Sequence, residues 1–125
     1  MEFHHQRRVA FADTDAAGVV HFSRILCYVE EAEHACLAEL GIPLLGDGGW
    51  PRVQLDCNYT APLRPEDTAD IVISPLKIGG SSIVWKFEVH CGETLCARGS
   101  MKTVRVNAEG KPVPLEDSWR AQLIA

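Results

Sequence analysis

The chain has 125 residues, of which 46% are hydrophobic, and its formal net charge at pH 7 is −5. Apolar and charged residues are mixed along the whole length, which is typical of a folded chain rather than a disordered one. Residues 1–125 are therefore predicted to form one domain with its own core. No run of Lys or Arg supplies a basic face, which disfavours nucleic acid as the main partner.

Five cysteines occur without a CxxC pair. Their odd number and their spacing fit neither a disulfide framework nor a zinc site, so they are predicted to be small, mostly buried residues in a reducing compartment. The first residues lack the apolar stretch of a secretion signal, and no segment is long enough to span a bilayer. The expected location is the cytoplasm.

Apolar and polar residues alternate roughly over 3–11, which predicts a first strand with Phe3, Val9 and Phe11 on one side. The turn-rich sequence DTDAAG follows. A long helix is then predicted to end at Gly41. Its apolar face is expected to carry Phe22, Ile25, Val29, Ala32, Cys36 and Leu40. The opposite face is expected to carry most of Glu30, Glu31, Glu33 and Glu39.

After Pro51 the alternation of apolar and polar residues predicts four strands joined by short hairpins. The strands are expected to begin near residues 53, 71, 83 and 95. Pro75 indicates an edge strand or a bulge, and Gly79-Gly80 indicates a hairpin turn. Residues 118–123 are predicted to form a short terminal helix. One apolar helix across one face of such a sheet is an α+β domain.

The sequence FADTDAAGVVHF joins the first strand to the long helix. A helix N-terminus has unpaired backbone N–H groups and a partial positive charge, so it can polarise a carbonyl. Asp13 and Asp15 lie a few residues upstream of those groups, and Gly18 allows a sharp bend. A carboxylate that faces a backbone oxyanion site is sufficient for acyl transfer.

Each of these residues also has a structural interpretation. Asp13 is interpreted as a cap of the turn and helix. A metal fragment is disfavoured because no third carboxylate follows at calcium-loop spacing. His21 is either a general base or, as is more common for a single histidine, a structural residue.

FADTDAAGVVHF, the helix segment Glu30-Glu31-Ala32 and the turn Tyr59-Thr60-Ala61-Pro62-Leu63 resemble the 4-hydroxybenzoyl-CoA thioesterase family of hotdog-fold acyl-CoA thioesterases. The resemblance implies a hotdog fold, in which one long helix packs across an antiparallel sheet of about five strands. It also implies hydrolysis of an acyl-CoA thioester to a free acid and CoA.

By this resemblance Asp15 is the catalytic group, either as a nucleophile through a mixed anhydride or as a general base on water. The backbone N–H of Phe22 would hold the thioester carbonyl oxygen, with Gly18 and Val19 beside the substrate. Many relatives carry His or Tyr where this chain has Phe22, and His21 is a partial substitute for that side chain. Neither a metal nor a cofactor is implied.

Asn58 and Tyr59, near a strand end, are candidates to line the substrate pocket. Tyr59 also shares a face with Leu55, which favours a core position for it. Lys77 and Ser82 flank the Gly79-Gly80 hairpin, where relatives contact CoA phosphates, and Lys77 is the only cation expected there. The acyl group stays open between aromatic and aliphatic acyl-CoA and acyl-carrier-protein substrates.

The resemblance further implies a homodimer or homotetramer with active sites between subunits. One helix cannot cover both faces of a five-stranded sheet, which agrees with association. Two alternatives remain on the same fold. A thioester hydratase or dehydratase would need His21 as its catalytic histidine, and a non-catalytic acyl-CoA-binding module could dispense with Asp15.

Overall fold

The computed structural model describes residues 1–125 and contains one antiparallel sheet and two α-helices. The strands are β1 (Phe3–Arg8), β2 (Arg52–Tyr59), β3 (Thr68–Ile78), β4 (Ser82–Cys91) and β5 (Thr94–Val104). The helices are α1 (Phe22–Glu39) and α2 (Asp117–Ile124). The predicted α+β class, the long helix and the terminal helix are confirmed.

The strand order in the sheet is β1-β3-β4-β5-β2. The two predicted hairpins, β3–β4 and β4–β5, are confirmed. The expectation that β2 leads into β3 through a short hairpin is wrong, because β2 pairs with β5 at the far edge. Residues 60–67 instead cross the sheet, and on the way the carbonyl of Leu63 accepts the N–H of Val20 at 2.8 Å. This crossing brings the end of β2 next to the start of α1.

The first strand is shorter than predicted and ends at Arg8. Val9 is buried as expected, but Phe11 is 81% exposed and begins a single 3-10 turn. The chain bends here because the N–H of Asp13 bonds the carbonyl of Ala10 at 3.0 Å. In β3, the predicted irregularity at Pro75 is a bulge between Pro75 and Lys77.

The helix α1 packs over β1 and β3. Its buried residues are Ile25, Tyr28, Val29, Ala32, Glu33, Cys36 and Leu37. The predicted apolar face is confirmed at four positions, whereas Phe22 is 61% exposed and Leu40 is half-buried. The expected exposure of Glu33 is wrong. Its side chain is fully buried, and Arg52 Nη2 donates to Glu33 Oε1 at 2.6 Å.

The edge strand β2 is largely exposed. Val53 is 58%, Leu55 42% and Tyr59 46% exposed. The predicted alternation is present, but the apolar face of β2 is uncovered. The helix α1 packs over β1 and β3, which lie towards the opposite edge of the sheet. An apolar strip on an edge strand is therefore available to a partner.

All five cysteines are free, with Cys36 and Cys96 buried and the other three half-buried. Neither helix of the chain combines the length and apolarity needed to cross a membrane. At the end of the chain, α2 closes one end of the core with Trp119 and Leu123.

Candidate active site

The segment between β1 and α1 forms a tight loop that presents the Asp15 carboxylate. Asp15 N–H donates to the Val19 carbonyl at 2.8 Å, and Gly18 N–H donates to the Asp15 carbonyl at 3.0 Å. Gly18 has a φ of +79°, a conformation that favours glycine. Ala17 N–H donates to Asp15 Oδ1 at 2.8 Å. One carboxylate oxygen is therefore held by the loop, and the other has no hydrogen-bond partner within the chain.

The first turn of α1 leaves a backbone donor available. His21 is the N-cap, and its Nδ1 accepts the N–H of Ser23 at 3.2 Å. His21 N–H itself donates to the Asp13 carbonyl at 2.9 Å. Phe22, the first helical residue, has an N–H that donates to no group of the chain. This N–H is thus unpaired at the positive end of the helix dipole.

Asp15 and Phe22 line one cavity of about 420 Å³. Its remaining walls are mostly apolar and consist of Val19, Val20, Ile25, Tyr59, Thr60, Ala61, Pro62 and Leu63. Tyr59 Oη donates to the Phe22 carbonyl at 3.1 Å, and the two rings meet edge to face with centroids 6.4 Å apart. The core interpretation of Tyr59 is therefore wrong. This tyrosine is a wall of the cavity that contains the candidate catalytic groups.

Four of the predicted contact residues do not line this cavity within one chain. One of them, Gly18, lies in the bend of the loop and not among the cavity walls. Asn58 faces a polar groove on the other side of the sheet, because successive side chains of a strand alternate between faces. Lys77 lines a separate groove against α2. Ser82 pairs with Val104, whereas Tyr59 pairs with Ala97 on the same strand. The hairpin is therefore roughly 20 Å along the sheet from the cavity.

A second cation lies beside the Gly79-Gly80 hairpin. Arg120 of α2 donates through Nη2 to the carbonyls of Gly79 and Gly80 at 2.6 and 2.9 Å. The prediction that Lys77 is the only cation at this hairpin is therefore wrong. Nothing local in the sequence predicts this contact, because about 40 residues separate its partners.

Asp13 is a buried ionic anchor next to the loop. Only 6% of it is exposed, Tyr28 Oη donates to its Oδ2 at 2.6 Å, and Arg7 and Arg24 each approach it at 3.4 Å. The hydrogen bond from Tyr28, helped by both arginines, holds the pKa of Asp13 below its usual value despite burial. Burial and the Asp13 carboxylate raise the pKa of Tyr28. The interpretation of Asp13 as a cap is wrong, because the N-cap of the 3-10 turn is Ala10 and that of α1 is His21.

No group of three or more His, Cys, Asp or Glu side chains lies close enough together to hold a metal ion.

Residues 17–100 match the family model of the thioesterase superfamily. The chain belongs to this superfamily. It is 33% identical over 113 residues to a 1,4-dihydroxy-2-naphthoyl-CoA hydrolase of Prochlorococcus marinus (strain NATL1A), covering 81% of this chain and 75% of the relative. It is 31% identical over 115 residues to the protein of the same name from Synechococcus sp. (strain CC9605), covering 84% and 77%.

Solved structures agree with this assignment. Slr0204, a 1,4-dihydroxy-2-naphthoyl-CoA thioesterase from Synechocystis, superposes with a TM-score of 0.89 at 26% identity, covering 99% of this chain and 96% of that chain. The gentisyl-coenzyme A thioesterase BH1999 gives 0.87 at 30% identity, covering 94% and 98%. The predicted hotdog fold and thioester-hydrolysing activity are confirmed. The family match begins at residue 17, so the role of Asp15 depends on the site geometry.

Proposed function

We propose that this chain hydrolyses acyl-CoA thioesters in the cavity between Asp15 and Phe22. One observation carries the proposal: a carboxylate oxygen and a helix N–H, both without partners, border the same apolar cavity. The N–H can stabilise the negative charge that develops on the thioester carbonyl oxygen. The carboxylate can act as the nucleophile or as the general base. The remaining walls suit an acyl group.

The chemistry can follow either of two balanced routes. As a base, Asp15 takes a proton from water, the hydroxide adds to the thioester carbon, and the C–S bond breaks as the CoA thiolate leaves and is protonated. As a nucleophile, an Asp15 oxygen adds instead, CoA leaves, and water cleaves the mixed anhydride. In both routes the negatively charged carbonyl oxygen accepts a hydrogen bond from the Phe22 N–H. Loss of one such donor typically lowers the rate by about 10²–10³-fold.

His21 has a smaller role in this proposal. Its Nδ1 is already bonded to the N–H of Ser23, and Nδ1 lies 2.7 Å from Ser23 Oγ. An imidazole committed to the cap holds the helix start in place rather than moving protons. We therefore assign His21 to orientation of the Phe22 N–H.

The acyl group is proposed to be aromatic. Phe22 and Tyr59 supply two ring surfaces at the cavity, and aromatic rings pack favourably edge to face or offset. The relatives named for 1,4-dihydroxy-2-naphthoyl-CoA and gentisyl-CoA both act on aromatic acyl groups. A hydroxylated aroyl-CoA is the substrate class that these two observations favour.

A second copy of the chain is proposed to pair along β2, in a dimer or a tetramer of dimers. The unpaired edge of β2 and its exposed apolar residues support this pairing. In a two-fold symmetric dimer the two β2 strands run antiparallel. Arg52 of one strand then lies near Tyr59 of the other. This arrangement places the Gly79-Gly80 hairpin of the second copy closer to the cavity of the first. Lys77 and Ser82 are therefore proposed to contact CoA phosphates across the interface. The free cysteines favour a reducing, cytoplasmic location.

The test measures release of CoA thiol from a panel of hydroxybenzoyl-, hydroxynaphthoyl- and straight-chain acyl-CoAs. Wild type should cleave the aroyl-CoAs fastest, and the folded Asp15→Asn variant should lose nearly all of that rate. Preference for straight chains would reject the aromatic proposal alone. Binding without hydrolysis by wild type would favour the non-catalytic binding module.

A further inference from the structure

Asp13 is the most heavily bonded side chain near the cavity, although it is not among the cavity walls. We propose that Asp13 is a positioning residue, which sets the distance and orientation between the Asp15 carboxylate and the Phe22 N–H. The inference rests on the proposed function, because it assigns the geometry of those two groups to a third residue.

The side chain of Asp13 ties together two elements that meet at the site. From α1, Tyr28 donates to Oδ2 at 2.6 Å and Arg24 Nε lies 3.4 Å from Oδ1. From β1, Arg7 Nη2 lies 3.4 Å from Oδ2, and its guanidinium stacks on the Tyr28 ring at 4.8 Å. Tyr28 is 1% and Asp13 6% exposed, so the bond between these two side chains is made inside the core and is screened from water. The side chains of Arg7 and Arg24 are 30% and 49% exposed and reach Asp13 from nearer the surface.

The backbone of Asp13 completes the connection to both catalytic groups. Its carbonyl accepts the N–H of His21, the residue directly before Phe22. Only Thr14 separates Asp13 from Asp15, and Thr14 forms a bridge with Val20 across the base of the loop. One residue thus holds the start of the loop by its carboxylate and the end of the loop by its carbonyl.

Loss of this anchor should affect reaction geometry more than binding. The cavity walls are held by other contacts, such as Val20 N–H to Leu63 O and Tyr59 Oη to Phe22 O. Displacement of a catalytic group by about 1 Å can cost roughly 10² in rate. A purely structural role predicts something else, namely a lower melting temperature with unchanged kcat in the fraction that is folded.

The experiment compares Asp13→Asn and Tyr28→Phe with wild type. It uses kcat and KM for the best aroyl-CoA and the Kd of its non-hydrolysable thioether analogue. Glu33→Gln is the matched control, because Glu33 is also a buried carboxylate bonded to arginine. It lies on the same helix about 16 Å from Phe22.

Asp13→Asn should lower kcat about 10²-fold with KM and Kd unchanged. Tyr28→Phe, which keeps the carboxylate and removes one bond, should lower kcat about tenfold. Glu33→Gln should keep the wild-type kcat below its melting temperature.

Unchanged kcat in folded Asp13→Asn would overturn the positioning role, as would an equal loss in Glu33→Gln. If Asp13→Asn does not fold, the kcat of Tyr28→Phe is the deciding measurement. A wild-type kcat in Tyr28→Phe would overturn the inference. Full activity in Asp15→Asn would instead reject the proposed function itself, so the two failures are distinguishable.

Discussion

Substitution of Arg52 by Gln should destabilise the protein through the buried carboxylate of Glu33. Arg52 Nη2 donates to Glu33 Oε1 at 2.6 Å, while Glu33 Oε2 is buried without any partner. Removing the cation leaves a charge that is fully shielded from water. Breaking a buried ion pair from one side typically costs about 3–5 kcal/mol. Because the side chain of Arg52 is itself 24% exposed, we expect a loss of about 3 kcal/mol in the free energy of unfolding.

The loss should depend on pH in a defined direction. Burial raises the pKa of Glu33 above its ordinary value of 4.5, and Arg52 lowers it in part. A pKa that is higher in the folded state gives stability that is fully present below the unfolded pKa and lost as pH rises through the folded pKa. Without Arg52 the folded pKa rises further. The difference between wild type and Arg52→Gln should therefore be small near pH 4.5 and should grow above it.

Urea denaturation followed by circular dichroism at pH 5 and pH 8 measures both effects, at one protein concentration because β2 is the proposed dimer edge. Glu30→Gln is the control, since Glu30 also pairs with Arg52, at 3.3 Å, but is 48% exposed and should contribute less than about 1 kcal/mol. The double variant Glu33→Gln/Arg52→Gln should be more stable at pH 8 than Arg52→Gln. A loss below about 1 kcal/mol at pH 8, or an equal loss at both pH values, would refute the reasoning.

Three further predictions concern the site. Gly18→Ala should cost about 1–2 kcal/mol of stability from backbone strain alone, since the added Cβ meets no atom within 4 Å. Gly80→Ala, also in open space but without a positive φ, should lose far less stability in the same urea denaturation experiment. Tyr59→Phe should keep the KM for aroyl-CoA because the ring remains, whereas Tyr59→Ala should raise it. Lys77→Ala should raise the KM for acyl-CoA and leave that for an acyl-pantetheine unchanged, and equal effects on both would reject the phosphate contact.

Much of the fold follows from local patterns. The period of three to four residues in α1 and the strict alternation in β4 are each set by backbone geometry, so both elements were predictable. The edge position of β2 was not, because alternation identifies a strand's apolar side but not the element that covers it. Glu33 was misjudged for a related reason. Its partner Arg52 is 19 residues away, and no local signal joins the two.

The candidate site was predictable where it is continuous in sequence. Asp15, Gly18 and Phe22 lie in one loop and the helix turn that follows, so a motif identifies them together. Asn58 and Tyr59 could not both have lined the cavity, since neighbouring residues of a strand face opposite sides. The anchor around Asp13 depends on Tyr28 and on residues from two elements. Only the folded chain brings them together.

The central claim is that Asp15 attacks or activates the attacking water while the helix start holds the thioester oxygen. The most direct test is the single-turnover rate of C–S cleavage for one aroyl-CoA, compared between wild type and Asp15→Asn, with the Kd of the thioether analogue measured for both. The account predicts a rate at least about 10³-fold lower in the variant with an unchanged Kd. A variant that binds the analogue equally and cleaves the thioester at the wild-type rate would contradict it.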